Sequence, residues 1–143
     1  MKHLAYILLV DHDSTSNFLN ERLIRRVTMA SHVMTAITGQ QALDIVATLA
    51  PPAPELLFVN LHLEHSADMT GEEFLARFHQ RFPHHQPVVA LLALHVSPQV
   101  LDQLQRTHTG PIFHKPLTEQ DIKNLMQQYF PSPLQANNAL SSC

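Results

Sequence analysis

A chain of 143 residues is long enough to bury one hydrophobic core and short enough to form a single domain. Its composition, 45% hydrophobic and 15% charged, excludes a disordered or collagen-like chain. A formal net charge of -3 favours neither nucleic acid nor an anionic membrane surface as a partner.

The cysteine content fits a reducing compartment, and the N-terminal run does not fit a signal peptide. The single cysteine is Cys143, so the chain cannot form an internal disulfide. The apolar run near the N-terminus meets acidic residues almost at once and lacks the cleavage site of a signal peptide. No stretch is apolar over the length of a bilayer. We therefore expect a cytoplasmic protein that does not enter a membrane.

Short apolar runs alternate with amphipathic stretches along the chain, which predicts strands alternating with helices. In chain order, the predicted elements are a strand over Leu4–Val10, a helix over Ser14–Val27, a strand over His32–Ile37, a helix over Gly39–Leu49, a strand over Leu56–Asn60, a helix over Thr70–Phe82, a strand over Val88–Ala93, a helix over Ser97–Arg106, a strand over Pro111–His114 and a helix over Thr118–Phe130.

Side-chain type predicts the cap and the inward face of the first helix. The first helix is expected to be capped by Ser14 or Ser16. Its inward face is expected to carry Phe18, Leu19, Leu23, Ile24 and Val27.

The fourth helix is expected to turn Val100, Leu101 and Leu104 to the core. The pair His84-His85 stands in a loop flanked by prolines and is expected at the surface.

Continuous apolar strands that alternate with helices predict an α/β domain with a parallel sheet between two helical layers. Five such units favour the flavodoxin-like, doubly wound (βα)5 arrangement with strand order 2-1-3-4-5. This domain is expected to occupy residues 1–130, followed by a mobile tail over residues 131–143. Ligand sites in such sheets lie beyond the carboxyl ends of the strands, which directs attention to the residues there.

The strand ends resemble those of response-regulator receiver domains. The first strand runs into ILLVDHD, the third into LLFVNLHL, the fourth is PVVALLA and the fifth leads into FHKPLT. The segment DHDSTSNFLNERLI is similar to stand-alone receivers that partner sensor kinases. The resemblance extends from Leu4 to Phe130, and its strength lies in four short motifs that occur in the right order at strand ends.

The resemblance implies a phosphorylation site in which an acidic pair and an acceptor aspartate hold Mg²⁺, while a lysine and a hydroxyl stabilise the phosphoryl oxygens. Position by position, Asp11 matches the first acid and Lys115 the lysine. His12 stands in place of the second acid, Asn60 in place of the acceptor aspartate, and Leu92 in place of the hydroxyl.

The switching aromatic of the family corresponds to Ile112, although Phe113 beside it leaves a one-residue ambiguity.

These substitutions predict a degenerate phosphoacceptor pocket. The amide of Asn60 offers no anionic oxygen and cannot form an acyl phosphate. His12 suits zinc or copper better than magnesium, and Leu92 cannot hydrogen bond to a phosphoryl oxygen. Because Asp11 and Lys115 can neutralise each other, the pocket should not require Mg²⁺. We expect Lys115 to pair with Asp11 or to donate to the Asn60 carbonyl.

Two other interpretations of this region remain open. Asp68, in the loop after the third strand, is an alternative acceptor if the motif is misregistered. His12 and His62, together with Asp11, form a speculative site for zinc or copper, with His65 and His114 as more distant ligands. The simpler interpretation is that these histidines lie in solvated loops.

The sequence as a whole predicts a pseudo-receiver that acts in two-component signalling by phosphorylation-independent protein contacts. Its expected partners are a sensor histidine kinase, a phosphotransfer protein or another receiver. A homodimer of this chain is one such receiver–receiver complex. No output domain is expected after the receiver. The alternative is a small-ligand or metal-binding module on the same scaffold. An enzyme is not expected, because no nucleophile–base pair is evident.

Overall fold

The computed structural model describes residues 3–61, 68–94 and 96–132. The expected tail falls outside the described residues from position 133 onward, so its predicted mobility stays a prediction.

The described residues form five strands and five helices in strict alternation. In chain order these are β1 (Leu4–Val10), α1 (Ser14–Val27), β2 (Ala30–Ala36), α2 (Gly39–Ala47), β3 (Leu56–Asn60), α3 (Gly71–Arg81), β4 (Val88–Ala93), α4 (Pro98–Thr107), β5 (Ile112–His114) and α5 (Glu119–Tyr129). The strands pair in parallel in the order β2-β1-β3-β4-β5, which confirms the predicted doubly wound sheet.

The register of the sheet brings the polar strand ends to one edge. Val10 lies opposite Val59 in β3, and Asn60 lies opposite Leu92 in β4. The last paired residue of β4, Ala93, lies opposite His114, next to Lys115. Because all strands run in one direction, every one of these ends faces the same side of the domain.

Alternation along each strand divides the apolar residues between two cores. Leu57 and Val59 point to the core that α2 and α3 cover, together with Phe74 and Phe78. Phe58 and its neighbours on the other face point to the core that α1 and α5 cover. The continuous apolar strands are thus explained by burial on both faces.

The inward face of α1 differs from the predicted one. Phe18 and Leu19 are 55% and 58% exposed, whereas Ile24 is fully buried. Asn17 and Asn20 lie on the buried face instead. The prediction was wrong for Phe18 and Leu19, because the N-terminal part of this helix lies near strand ends whose carbonyl groups need donors. It holds for Ile24, which is in the core, and for Leu23 and Val27, which pack against it.

The N-cap of α1 also differs. Asp13, not Ser14 or Ser16, accepts hydrogen bonds from the backbone N–H groups of Thr15 and Ser16. A carboxylate suits this position because it satisfies free N–H groups and interacts favourably with the positive end of the helix dipole.

Two further expectations about burial were wrong. Val100 of α4 is exposed, and only Leu104 of that helix is buried. His85 is buried, and its ring meets the edges of Phe78 and Phe82. Its neighbour His84 is exposed, as expected.

None of the helices in the described ranges is long and apolar enough to cross a membrane.

The observed face of α1 predicts a contrast between two alanine variants. Ile24→Ala should lower the free energy of unfolding by about 3 kcal/mol, because it removes apolar atoms from a closed core. Leu19→Ala should change it by no more than about 0.5 kcal/mol, because this side chain is exposed. Urea denaturation of both variants measures the difference, and equal losses would contradict the assignment of the buried face.

Candidate functional site

The four strand ends bring the predicted pocket residues together. Asp11 directly follows β1, Asn60 is the last residue of β3, Leu92 is the next-to-last of β4, and Lys115 directly follows β5. Asp11 is 2% exposed and Asn60 is 1% exposed, so the polar part of the site is closed off from solvent. Lys115 is partly buried above them.

The Asp11 carboxylate is the centre of this group. Its Oδ2 accepts a hydrogen bond from Lys115 Nζ at 2.8 Å. Its Oδ1 accepts from Asn60 Nδ2 at 3.0 Å and from the backbone N–H of Asp13 at 2.9 Å. Of the two arrangements expected for Lys115, the pairing with Asp11 is therefore the one found.

This geometry offsets one buried negative charge with one ammonium group. Charge-assisted hydrogen bonds of this length are among the stronger ones in proteins, and a buried carboxylate requires them. Both carboxylate oxygens already have donors, and the ammonium group offsets the negative charge that would attract a cation. Among the described residues, no group of three or more His, Cys, Asp or Glu side chains is placed to hold a metal ion.

Leu92 belongs to the hydrophobic core and adds no polar group to the site. It is buried in the cluster that contains Leu117 and Ile122, under α1 and α5. The position where a hydroxyl is expected in the resembled family is therefore filled by apolar contacts.

His12 lies at the rim of the site. Its Nδ1 is 3.6 Å from Asp11 Oδ1, and the side chain is about one third exposed. His62 and His65 lie outside the described residues, so the proposed pairing of His12 with His62 stays a prediction. His114 is exposed on β5.

Asp13 has a structural role that the sequence analysis did not assign. The N–H groups of Ser16 and Thr15 donate to its carboxylate and lower its pKa from the ordinary value of 3.8, and the nearby Lys115 ammonium acts in the same direction. The signal was an aspartate directly before an amphipathic stretch, which is a common N-cap pattern.

Asn17 is a second residue that the sequence analysis missed. Its side chain is 3% exposed, and its Nδ2 donates to Asp11 O at 3.0 Å and to Ala36 O at 3.1 Å. An amide on the inward face of a helix was the available signal, although its partners depend on the sheet.

Asp68, the alternative acceptor, is engaged in hydrogen bonds to backbone N–H groups. Its carboxylate accepts hydrogen bonds from the backbone N–H groups of Gly39, Gln40 and Met69. It therefore supports the N-terminus of α2, and the arrangement favours Asn60 as the residue at the acceptor position.

The start of α3 comes close to the site at Gly71. A Cβ atom at this position would lie 2.9 Å from the carbonyl oxygen of Asn60 and 3.2 Å from Leu61 Cα. A residue without a side chain lets the helix approach the end of β3 this closely.

The two candidates for the switching aromatic face different cores. Ile112 packs against the core under α2 and α3, whereas Phe113 packs against the core under α1 and α5. The strand alternation thus places the aromatic ring on the face opposite to that of Ile112.

An open groove of about 790 Å³ runs beside the site, along α1 and the segment after β5. Lys115 and Asp13 contribute to its lining together with Leu19, Leu23 and Leu94. Neither Asp11 nor Asn60 is among the residues that line this groove.

The ion pair predicts a large effect of removing its cation. Lys115→Met should lower the free energy of unfolding by about 3 kcal/mol, because it leaves the Asp11 carboxylate buried without a counter-charge. Lys123→Met, which removes an exposed lysine, is the matched control and should cost less than about 1 kcal/mol. Similar losses for the two variants, measured by urea denaturation, would contradict the importance of the buried pair.

The fold is shared with known proteins, although sequence comparisons found no relative. No protein-family model matches the sequence, and the search of curated protein sequences found no significant match. A two-component response regulator from Cytophaga hutchinsonii superposes with a TM-score of 0.75 at 23% identity, over 89% of this chain and 97% of that chain.

Two further structures give the same result. The chemotaxis protein CheY4 of Vibrio cholerae has a TM-score of 0.70 at 17% identity, over 87% of this chain and 98% of that chain. A response-regulator receiver domain protein from Clostridium thermocellum has a TM-score of 0.68 at 21% identity, over 87% of this chain and 96% of that chain. The chain therefore has the fold of the receiver domains of response regulators.

Proposed function

We propose that this chain is a receiver-like protein of two-component signalling that acts through protein contacts and does not accept phosphate. The observation that carries the proposal is the hydrogen bond from Asn60 Nδ2 to Asp11 Oδ1, at the strand ends where the resembled family places its acceptor and its first acid. An amide in this position has no nucleophilic oxygen and holds the neighbouring acid through a donor that a carboxylate would lack.

The charge balance of the site supports the same proposal. In an intact site three carboxylates repel one another until a divalent cation joins them. Here a single buried carboxylate faces one ammonium group and one amide, and it is satisfied without an added ion. Magnesium binding is therefore proposed to be weak or lost, and no cofactor is required.

The apolar setting of Leu92 supports a site that does not switch. In the resembled family, a hydroxyl that moves toward the phosphoryl group draws the following loop with it. The Leu92 side chain is packed between the sheet and α5 and has no group that a phosphoryl oxygen could attract. We propose that the domain holds one conformation and presents it to a partner.

The partner proposed is a sensor histidine kinase, a phosphotransfer protein or another receiver, including a second copy of this chain. A cytoplasmic location and the absence of an enzymatic activity are parts of the same proposal. The rival function, binding of a transition metal by His12, His62 and Asp11, has no support among the described residues beyond the 3.6 Å approach of His12 to Asp11.

Incubation with acetyl phosphate and MgCl₂ tests the proposal directly. The intact mass of the protein should remain that of the unmodified chain, because Asn60 cannot form an acyl phosphate. A receiver with an intact acceptor aspartate, treated in parallel, shows that the reagent is active. A mass increase of one phosphate that is lost in base would overturn the proposal.

Restoring the acceptor alone should not restore efficient phosphorylation. Asn60→Asp should label slowly, because His12 and Leu92 still lack the acid and the hydroxyl that the chemistry uses. The triple variant His12→Asp, Asn60→Asp, Leu92→Thr is the matched comparison and should label about 100-fold faster, the effect typical of regaining a transition-state hydrogen bond. Mass spectrometry measures the labelling rates, and equal rates for the single and triple variants would refute this explanation.

A further inference from the structure

We infer that Asn17 is the positioning residue of the Asp11–Asn60–Lys115 site, because its carboxamide fixes the backbone from which the Asp11 carboxylate projects. This inference rests on the proposed function for the meaning of the site, but its geometry stands on contacts that involve neither phosphate nor metal.

The two hydrogens of Asn17 Nδ2 go to two neighbouring strand ends. One partner is the carbonyl of Asp11, directly after β1, and the other is the carbonyl of Ala36, the last residue of β2. Ala36 O also accepts the backbone N–H of Asp11 at 3.0 Å. The amide of Asn17 therefore joins α1 to both strands at the point where their ladder ends.

Asn17 and the N-cap residue Asp13 hold Asp11 at its backbone carbonyl and at its carboxylate. Its carbonyl is bound by Asn17 Nδ2, and its Oδ1 is bound by the N–H of Asp13 at 2.9 Å. Asp13 in turn caps α1, and its carbonyl accepts the N–H of Asn17 at 3.1 Å. Displacement of Asn17 would thus change the place from which Asp11 reaches Lys115.

Few other side chains could do this. A neutral group that donates two hydrogens from one atom is found only in asparagine and glutamine, and the longer glutamine would not keep the same distances. Aspartate has the same shape but no donor, and it would face two carbonyl oxygens. The energetic role of Asn17 lies in its donors, since its Oδ1 is buried with no hydrogen-bond partner among the described residues.

The reactivity of Lys115 toward sulfosuccinimidyl acetate tests this inference. The rate of acetylation of Lys115 is measured by peptide mass spectrometry relative to that of the exposed Lys123 in the same protein. In Asn17→Ala and Asn17→Asp, Lys115 should react about tenfold faster, because the hydrogen bonds to the Asp11 and Ala36 carbonyls are lost. Those bonds fix the backbone that carries the carboxylate partner of Lys115. Asn17→Ser, which keeps one donor, should give an intermediate rate.

Asn20→Ala is the matched control, because Asn20 is also buried on α1, one turn further on. This variant should be destabilised without a change in the relative rate at Lys115. Equal rates in Asn17→Ala and Asn20→Ala, or a wild-type rate in Asn17→Asp, would overturn the inference. Phosphorylation of the wild-type protein would overturn the proposed function and leave this result intact.

A measurement on the wild-type protein covers the case in which the Asn17 variants do not fold. The side-chain amide hydrogens of Asn17 should exchange with deuterium at least about 100-fold more slowly than those of the exposed Asn124, because buried hydrogen bonds exchange only on opening. NMR measures the two exchange rates, and equal rates for both amides would contradict the inference.

Discussion

A buried carboxylate that must be neutralised is the constraint on which the site depends. Asp11 is almost fully removed from water, and an isolated charge in that place would oppose folding. The Lys115 ammonium supplies the opposite charge, and the Asn60 amide occupies the other oxygen. Because Asp11 follows β1, Asn60 ends β3 and Lys115 follows β5, the ion pair and the amide hydrogen bond together link three strand ends that are distant in sequence.

The same constraint explains the polar residues on α1. The ends of parallel strands leave carbonyl groups without ladder partners, and buried carbonyls need donors. Asn17 donates to the Asp11 carbonyl and is a second donor to the Ala36 carbonyl, which also accepts the Asp11 N–H. Asp13 caps the same helix. The N-terminal part of α1 thus donates hydrogen bonds at the edge of the sheet, while Ile24, nearer the C-terminal end of the helix, packs in the core.

Much of the architecture could be predicted because burial on both faces leaves a simple pattern. The three central strands, β1, β3 and β4, are mostly apolar runs, and the helical segments of the chain have helical periodicity. The faces of the helices were less predictable. Phe18 and Val100 are apolar yet exposed, and His85 is polar yet buried against two phenylalanine rings. Composition cannot reveal such cases, because exposure depends on what other elements cover.

The sequence by itself determined which chemical groups stand at the strand ends: an amide at Asn60, an apolar side chain at Leu92, and one acid and one lysine at Asp11 and Lys115. Those identities determine which functional groups the site contains, because the functional group of a side chain is a property of the residue type and not of the fold. Only the tertiary structure decided that Lys115 pairs with Asp11, because that contact joins residues 104 positions apart. It also revealed the donors of Asn17, whose carbonyl partners become neighbours only when β1 and β2 are paired.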